Sequence, residues 1–201
     1  MAPSLEYEKS LWAEGKEILC GIDEVGRGSW AGPLYVGAVV FPKNCRQIRG
    51  ADDSKKLTAK QREKLCTEIK KRAKTYSTGR AEHYEIDELG MTAATNIAIK
   101  RAVGALGMKV DTLLIDAFSY SEQDSIAVKG GDSVCYSISC ASILAKVERD
   151  RHISEVPEAA IYRFDKNKGY GTKEHQELIK KHGVSRVHRK SFKPVKAFAN
   201  G

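Results

Sequence analysis

The sequence lacks the features that would mark a secreted, membrane-spanning or disulfide-stabilised protein. No apolar run approaches the roughly 20 residues that span a bilayer. Residues 1–15 contain three glutamates but no apolar core of a secretory signal. The five cysteines are an odd number and include no Cys-x-x-Cys pair, which argues against a disulfide framework and against a structural zinc site. We therefore expect a cytoplasmic protein with no membrane partner.

The composition of the 201 residues is that of one ordinary globular chain, because 41% hydrophobic and 30% charged residues exclude wholesale disorder. The net charge of +8 is concentrated in one segment: residues 166–196 carry ten Lys or Arg against two Glu, whereas the remainder has 24 residues of each sign. A neutral body with a basic C-terminal segment predicts a polyanionic partner such as nucleic acid. The alternative is a lysine-rich surface that is only solvated.

The hydrophobic pattern predicts strands that alternate with helices. The predicted strands are 18–22, 34–41, 76–83, 110–115 and 126–128, and the predicted helices are 58–74, 85–106, 137–155 and 173–181. Only a short glycine-rich link separates the first two strands, which favours a hairpin and antiparallel pairing. The fold class is therefore α/β, a mixed sheet flanked by helices. We expect residues 1–160 to form this domain and residues 161–201 to form a small basic helical segment packed on it.

Four acidic residues stand at strand ends and turns. Asp23 and Asp116 each follow an apolar strand, Glu24 comes directly after Asp23, and Asp132 follows a Gly-Gly turn. If the first and fourth strands are neighbours, their carboxylates emerge at one edge of the sheet. Carboxylates gathered without a cation raise one another's pKa, and oxygen-only ligands suit Mg²⁺ or Mn²⁺. The four acids are a candidate metal site, although strand ends and turns commonly carry single aspartates.

A set of ordered motifs covers nearly the whole chain. The glycine stretch at residues 26–28 is not a dinucleotide fingerprint, since a strand rather than a helix follows it. The matching segments read GIDEVGRG at 21–28 and AGP at 31–33, then DSKKL at 53–57, LID at 114–116, KGGD at 129–132, ASILAKV with RD at 141–150, KGYGT at 168–172 and HRKSF at 188–192. Taken together, these segments resemble ribonuclease HII. Val25, Ala117 and the extra glycine before Asp132 depart from that family's usual pattern, but no departure removes a carboxylate.

The resemblance implies a ribonuclease H-like fold and an endonuclease that acts in ribonucleotide excision repair. Such an enzyme cleaves the RNA of RNA–DNA hybrids, and it incises 5′ of single ribonucleotides in duplex DNA, leaving 3′-hydroxyl and 5′-phosphate ends. The implied chemistry is hydrolysis with two divalent ions, Mg²⁺ or Mn²⁺. Asp23 would be the central ligand, and Glu24, Asp116 and Asp132 would complete the set.

The same resemblance implies a substrate-binding set. Gly26, Arg27 and Gly28 would read the 2′-hydroxyl, which distinguishes RNA from DNA. Tyr170, between two glycines, would stack on the sugar after the ribonucleotide and sense the RNA–DNA junction. Ser54 and Lys55 would meet phosphates, although a lysine pair before a helix is commonly only solvated.

Other polar residues favour plainer interpretations. Asp150 lies four residues after Lys146, the spacing of an ion pair on a helix, so we leave it out of the metal site. The histidines show no metal-ligand spacing, and we expect His175, His182 and His188 to bond phosphate or solvent from the basic segment.

Two alternative functions remain open at this point. One is a catalytically silent nucleic-acid-binding module, which would not need the four acids. The other is the related ribonuclease HIII, which usually carries an additional N-terminal domain, whereas 22 residues precede Asp23 here. We expect the protein to act as a monomer.

Overall fold

A five-stranded mixed sheet lies at the centre of the computed structural model, which describes residues 2–118 and 120–199. Its strands are β1 (Leu19–Val25), β2 (Leu34–Val40), β3 (Thr75–Ala81), β4 (Thr112–Asp116) and β5 (Ser125–Val128). Their order across the sheet is β3-β2-β1-β4-β5. Neighbouring pairs are antiparallel from β3 to β1 and parallel from β1 to β5. The predicted hairpin and the mixed α/β sheet are confirmed.

Helices cover both faces of this sheet. The four longer ones are α2 (Ala59–Arg72), α3 (His83–Gly104), α5 (Tyr136–Glu155) and α8 (Lys173–His182), and all four were predicted. Thr58 and Gln61 form the expected capping box of α2. The sequence pattern did not predict the short helices α1 (Glu6–Ala13), α4 (Gly131–Val134), α6 (Ala159–Tyr162), α7 (Phe164–Asn167) and α9 (Lys193–Ala199). Each is too short to show a sustained 3.6-residue apolar period.

Helix α5 packs unusually close to β1 and β2 because two glycines face it. A Cβ atom at Gly21 would overlap the backbone of Ser137, and one at Gly37 would overlap the carbonyl of Ala141. Only glycine allows helix and strand backbones to approach in this way. On the opposite face of the sheet, α3 packs against β2 and β3, where the side chains of Val36, Ala98 and their neighbours form the largest buried cluster.

The C-terminal segment packs on the end of α5 and on the chain after β1. Tyr162, Phe164 and Ile179 share a buried cluster with Ala31 and Ile153. A domain boundary at residue 160 stays a prediction, and residues 1, 200 and 201 of the two predicted domains lie outside the described residues. Within residues 2–118 and 120–199, no helix is both long and apolar enough to span a bilayer.

Candidate active site

The register between β1 and β4 places two predicted site residues side by side. Their last parallel pair is Ile22 with Ile115, so Asp23 and Asp116 are the next residues on adjacent strands. Asp116 ends β4 as predicted. The prediction that the first strand ends at Asp23 is wrong, because Asp23 and the two residues after it continue to pair with β2. Asp23 is thereby held in regular sheet and is only 5% exposed.

The carboxylates at this edge are electrostatically strained. Burial raises the pKa of Asp23 well above its usual value, and the charges of Glu24 and Asp116 add to this, while a hydrogen bond from Ser142 opposes it. Burial also raises the pKa of Glu24 to about 7, against the opposing charge of Arg27. The Asp116 pKa is raised by burial despite a 2.7 Å hydrogen bond from the Gly131 N–H. A bound cation would remove this cost.

Asp132 reaches the same edge from the first turn of α4. It is 6% exposed, and its neighbour Gly131 donates to Asp116. The Lys55 Nζ lies 3.0 Å from Asp132 Oδ2, so an ammonium group neutralises this carboxylate. Of the four acids that we expected to converge, Asp23, Glu24 and Asp116 line one cleft. Asp132 lies beside it and is paired with Lys55.

These residues fit a divalent cation in their chemistry. The buried Glu24 Oε2 has no hydrogen-bond partner among the described residues, so it is available as a ligand. The donors are carboxylate oxygens, which Mg²⁺ and Mn²⁺ prefer. Within the described residues, no three His, Cys, Asp or Glu side chains are already arranged to hold a metal ion. A cation that used Asp132 as a ligand would displace the Lys55 ammonium from it.

A cleft of about 460 Å³ opens beside these carboxylates. Every predicted site residue except Asp132 lines it, namely Asp23, Glu24, Gly26, Arg27, Gly28, Ser54, Lys55, Asp116 and Tyr170. Ser142 and Lys146 of α5 also line it, and sequence reasoning did not assign them to the site. Both residues lie one helical turn apart on the face of α5 that packs on β1, the strand that carries Asp23. That i, i+4 spacing is the signal in the sequence that could have identified them.

Ser54 and Lys55 differ in how far they are available to a ligand. Ser54 is 2% exposed, and its hydroxyl lies 2.9 Å from that of Ser142. Lys55 keeps 78% of its side chain exposed while its ammonium contacts Asp132. The expected contact with phosphate stays a prediction for both residues, and Lys55 is the one that reaches solvent.

Two buried arginines hold the glycine loop, residues 26–28, and the chain that follows it. Arg149 lies directly beneath Gly26, whose φ is +97°, and donates to the Pro33 carbonyl at 3.1 Å. Arg189 donates to the carbonyls of Gly32 and Arg27 at 3.0 and 2.9 Å. Neither guanidinium contacts a carboxylate in the described part of the chain. Sequence reasoning missed this support, because arginine side chains usually lie on a solvated surface.

Tyr170 faces the cleft from a loop of the C-terminal segment. The Arg149 guanidinium lies 5.4 Å from its ring centre, and the Lys146 ammonium lies 6.0 Å away. Lys146 also makes the predicted ion pair with Asp150, at 2.7 Å. Asp150 itself lines a separate groove with Arg62, which agrees with leaving it out of the metal site.

The expectation that the histidines of the basic segment meet phosphate or solvent is wrong for two of them. His175 and His188 are fully buried, and their Nε2 atoms lie 3.0 Å apart. Rings of Tyr162 and Phe164 pack against the pair and exclude water from it. His182 is exposed.

Comparison with known proteins identifies the family of this chain. The family model described as Ribonuclease HII matches residues 20–195. Ribonuclease HII of Caldicellulosiruptor saccharolyticus is 45% identical over 190 residues, which cover 93% of this chain and 92% of that protein. Ribonuclease HII of Aliivibrio fischeri strain ES114 is 46% identical over 198 residues, covering 97% and 95%.

Solved structures share the fold. Ribonuclease H2 from Pyrococcus horikoshii OT3 superposes with a TM-score of 0.73 at 27% identity, over 91% of this chain and 97% of that one. Bst-RNase HIII in complex with Mn²⁺ superposes with a TM-score of 0.68 over 92% of this chain and 70% of that one, and at 17% identity it supports the fold alone. The family match and the curated relatives together show that this chain belongs to the ribonuclease HII family and is an endoribonuclease that acts on the RNA of RNA–DNA hybrids.

Proposed function

We propose that the enzyme also incises duplex DNA on the 5′ side of a single embedded ribonucleotide, leaving 3′-hydroxyl and 5′-phosphate ends. The observation that carries the proposal is one shared cleft. Asp23, Glu24 and Asp116 line the same space as the glycine loop and Tyr170. Groups suited to hydrolysis thus lie beside groups suited to telling a ribose from a deoxyribose.

The proposed metal ligands are Asp23, Glu24, Asp116 and Asp132, and the ions are Mg²⁺ or Mn²⁺. Enzymes of the ribonuclease H family depend on divalent metal. When bound, two such ions would supply an activated water and stabilisation of the leaving oxygen. The unpartnered Glu24 Oε2 and the raised pKa values of Asp23 and Asp116 support this assignment.

The remaining residues of the cleft are proposed to bind and orient the substrate. Gly26, Arg27 and Gly28 would contact the 2′-hydroxyl of the ribonucleotide. Tyr170 would stack on the next sugar, and Lys55 with Ser54 would meet a phosphate. Arg149 and Arg189 would keep the glycine loop in place, since both donate to carbonyls of residues 27–33.

The basic segment, residues 166–196, is proposed to bind the duplex without regard to sequence. Its lysines at 173, 180, 181, 190, 193 and 196 are all exposed, as phosphate contacts require. The five cysteines are free, which supports a reducing compartment such as the cytoplasm. A monomer stays the proposed working form.

The deciding experiment uses a DNA duplex that contains one ribonucleotide. We expect cleavage in Mg²⁺ or Mn²⁺, a single cut on the 5′ side of the ribonucleotide, and no cleavage in EDTA. Asp23→Asn should abolish the cut. Asp165→Asn is the matched control, because the Asp165 side chain is 57% exposed and its only ion pair among the described residues is with Arg163.

Two results would reject the proposal. Cleavage that is confined to continuous hybrids would restrict the enzyme to the activity of its family on long RNA. Tight binding of the duplex without any cleavage in metal would instead favour a silent binding module. Such a module would gain nothing from burying carboxylates that repel phosphate.

A further inference from the structure

The loop that carries Tyr170 is fixed by its backbone carbonyls. We call residues 168–171 the tyrosine loop. The Lys168 carbonyl accepts from Arg149 at 3.1 Å, and the Gly169 carbonyl accepts from the Trp30 N–H at 2.8 Å. The Gly171 carbonyl accepts from the side chain of Gln176 at 2.9 Å. With its carbonyls directed into the protein, this loop holds the Tyr170 ring beside α5 at the cleft.

The Tyr170 carbonyl accepts two hydrogen bonds, one from the Thr172 N–H at 2.8 Å and one from a chain of two histidines. A carbonyl only accepts, so the His175 Nδ1 that lies 2.9 Å from it carries the proton. The Nε2 of the neutral His175 ring is then an acceptor, and the His188 Nε2–H donates to it at 3.0 Å. His188 Nδ1 accepts from the N–H and the hydroxyl of Ser185, at 3.0 and 2.7 Å. The role of each ring nitrogen is thereby determined.

The surroundings of the pair keep both rings neutral and in place. Both histidines have no exposed surface. The Tyr162 ring centre lies 4.8 Å from that of His188, and the Phe164 ring centre lies 5.4 Å from that of His175. Burial lowers the pKa of both histidines. A chain of hydrogen bonds between neutral groups, each with a determined donor and acceptor, thus runs from Ser185 through His188 and His175 to the tyrosine loop. We call this chain the relay.

We propose that His175 and His188 are positioning residues, which set the place of Tyr170 through its carbonyl and thereby support the preference for an RNA–DNA junction. The inference rests on the proposed function of Tyr170. It concerns His175 and His188, which do not line the cleft themselves. Because the relay ends on a backbone atom, its loss shifts the ring without removing it.

The test compares two substitutions of His175. In His175→Asn the amide nitrogen takes nearly the place of ring Nδ1 and still donates to the Tyr170 carbonyl, whereas His175→Leu has no donor. His182→Leu is the matched control, since His182 is exposed on the same helix. Each variant is assayed for kcat/KM on a single-ribonucleotide duplex and on a continuous hybrid.

We expect His175→Leu to lower cleavage of the single-ribonucleotide duplex by about tenfold, within the cost that a small misplacement carries in an active site. Cleavage of the hybrid should fall less. His175→Asn should restore most of the difference. His182→Leu should leave the ratio of the two activities unchanged, because His182 belongs to the basic segment, which is proposed to bind all duplexes alike. In a Tyr170→Ala background, His175→Leu should cause no further loss, because both changes remove the same positioned ring.

A second pair of variants covers the case in which His175→Leu does not fold. His188→Gln keeps a donor for the His175 Nε2 and should retain the substrate preference, whereas His188→Leu should lose it. Equal losses on both substrates, or a further loss in the Tyr170→Ala background, would show that the pair serves stability alone and would overturn the proposal.

A measurement without cleavage separates this inference from the proposed function. Hydrogen exchange of the peptide that spans residues 168–172 should accelerate in His175→Leu and not in His182→Leu or His175→Asn. If the exchange of this peptide is unchanged in His175→Leu, the proposed role of the histidine pair is overturned, whichever substrates the enzyme cleaves. Accelerated exchange in an enzyme that does not cut the single-ribonucleotide duplex would uphold the relay and reject only the proposed activity.

Discussion

On one side of the cleft three carboxylates crowd together, whereas on the other side the carbonyls of the tyrosine loop each receive a donor. The pKa values of Asp23, Glu24 and Asp116 are all raised, and a buried oxygen of Glu24 lacks a partner among the described residues. Across from them, His175 and Arg149 hold the loop through neutral or charge-to-carbonyl contacts. The carboxylates of the first side thus keep an unrelieved repulsion, whereas the tyrosine loop on the second side has a donor for every carbonyl.

This contrast indicates that the two sides have different roles. The carboxylate side changes its electrostatic state when a cation binds, whereas the tyrosine loop is preorganised before substrate binds. Groups that must receive a cation gain from mutual repulsion, because binding relieves it. Groups that measure the shape of a substrate gain from being fixed, because each disordered side chain or loop would have to be ordered at the cost of affinity. The following changes test each side separately.

The largest effect is expected from Asp23→Asn. Loss of the proposed central ligand removes several kcal/mol of transition-state stabilisation, and since each 1.4 kcal/mol is a factor of ten, cleavage in Mg²⁺ should fall by about a thousandfold. In metal-free buffer the variant should melt at or above the wild-type temperature, because a buried, repelled charge is gone. Near-normal cleavage by the variant would remove Asp23 from the metal site.

The tyrosine side should instead be sensitive to acid. Burial, followed by the neighbouring His175, lowers the pKa of His188 from 6.5 to about 4 in the folded protein. The folded state therefore disfavours the protonated imidazole of His188. The contribution of His188 to the free energy of unfolding is highest above pH 6.5 and decreases as the pH falls towards 4, because protonation then favours the unfolded chain. Linkage gives a loss of about 3 kcal/mol over that range.

Urea unfolding of the wild type and of His188→Gln at pH 7.5 and pH 4.5 measures this loss. The free energy of unfolding should fall by less in the variant, because glutamine does not titrate. The difference between the two proteins cancels the titration of all other groups. Parallel losses would show that the histidine pair is indifferent to acid.

A third change concerns the basic segment beyond the tyrosine loop. Replacing Lys180, Lys181 and Lys190 together with Ala should weaken the binding of all duplexes alike. The slope of log affinity against log salt should become shallower by roughly 0.9 for each phosphate that the variant no longer neutralises. An unaltered slope would identify a solvated surface. The matched control replaces three exposed lysines elsewhere, Lys64, Lys74 and Lys109.

The smallest effect and the sharpest comparison come from Tyr170. Tyr170→Phe keeps the stacking face and should retain most cleavage of a single embedded ribonucleotide. Tyr170→Ala removes a stacking interaction that typically contributes about 1–3 kcal/mol for a base, and a sugar lies at the low end, so a fall of roughly tenfold is expected. A continuous hybrid should suffer less, because its 2′-hydroxyl crowds the ring. Equal losses on both substrates would make Tyr170 a packing residue.

Much of the fold could be predicted because the relevant signals are local. The Thr58 capping box, the apolar run before Asp116 and the short link between β1 and β2 each determine an element from a few neighbouring residues. Nine of the ten predicted site residues line one cleft. Strand order and register account for the carboxylates among them, because β1 and β4 carry Asp23 and Asp116 to the same edge.

The rest could not be predicted because it depends on interactions between distant segments. Nothing near His175 in the sequence indicates that its partner is His188, or that both are buried. Arg149 looks like a surface residue until Pro33 and Lys168 supply the carbonyls that satisfy it. The place of Asp132 depends on Lys55, which lies 77 residues earlier in the chain.

The close approach of α5 to the sheet limits how this enzyme can diversify. Gly21 and Gly37 set the distance between helix and strands, and the same helix carries Ser142 towards Asp23 and Arg149 towards Tyr170. Any side chain at either glycine would therefore displace both sides of the cleft at once, and a lineage could not alter its choice of substrate there without also disturbing its carboxylates. Independent variation is left to the loops, where a change in the tyrosine loop or around Lys55 alters one side alone.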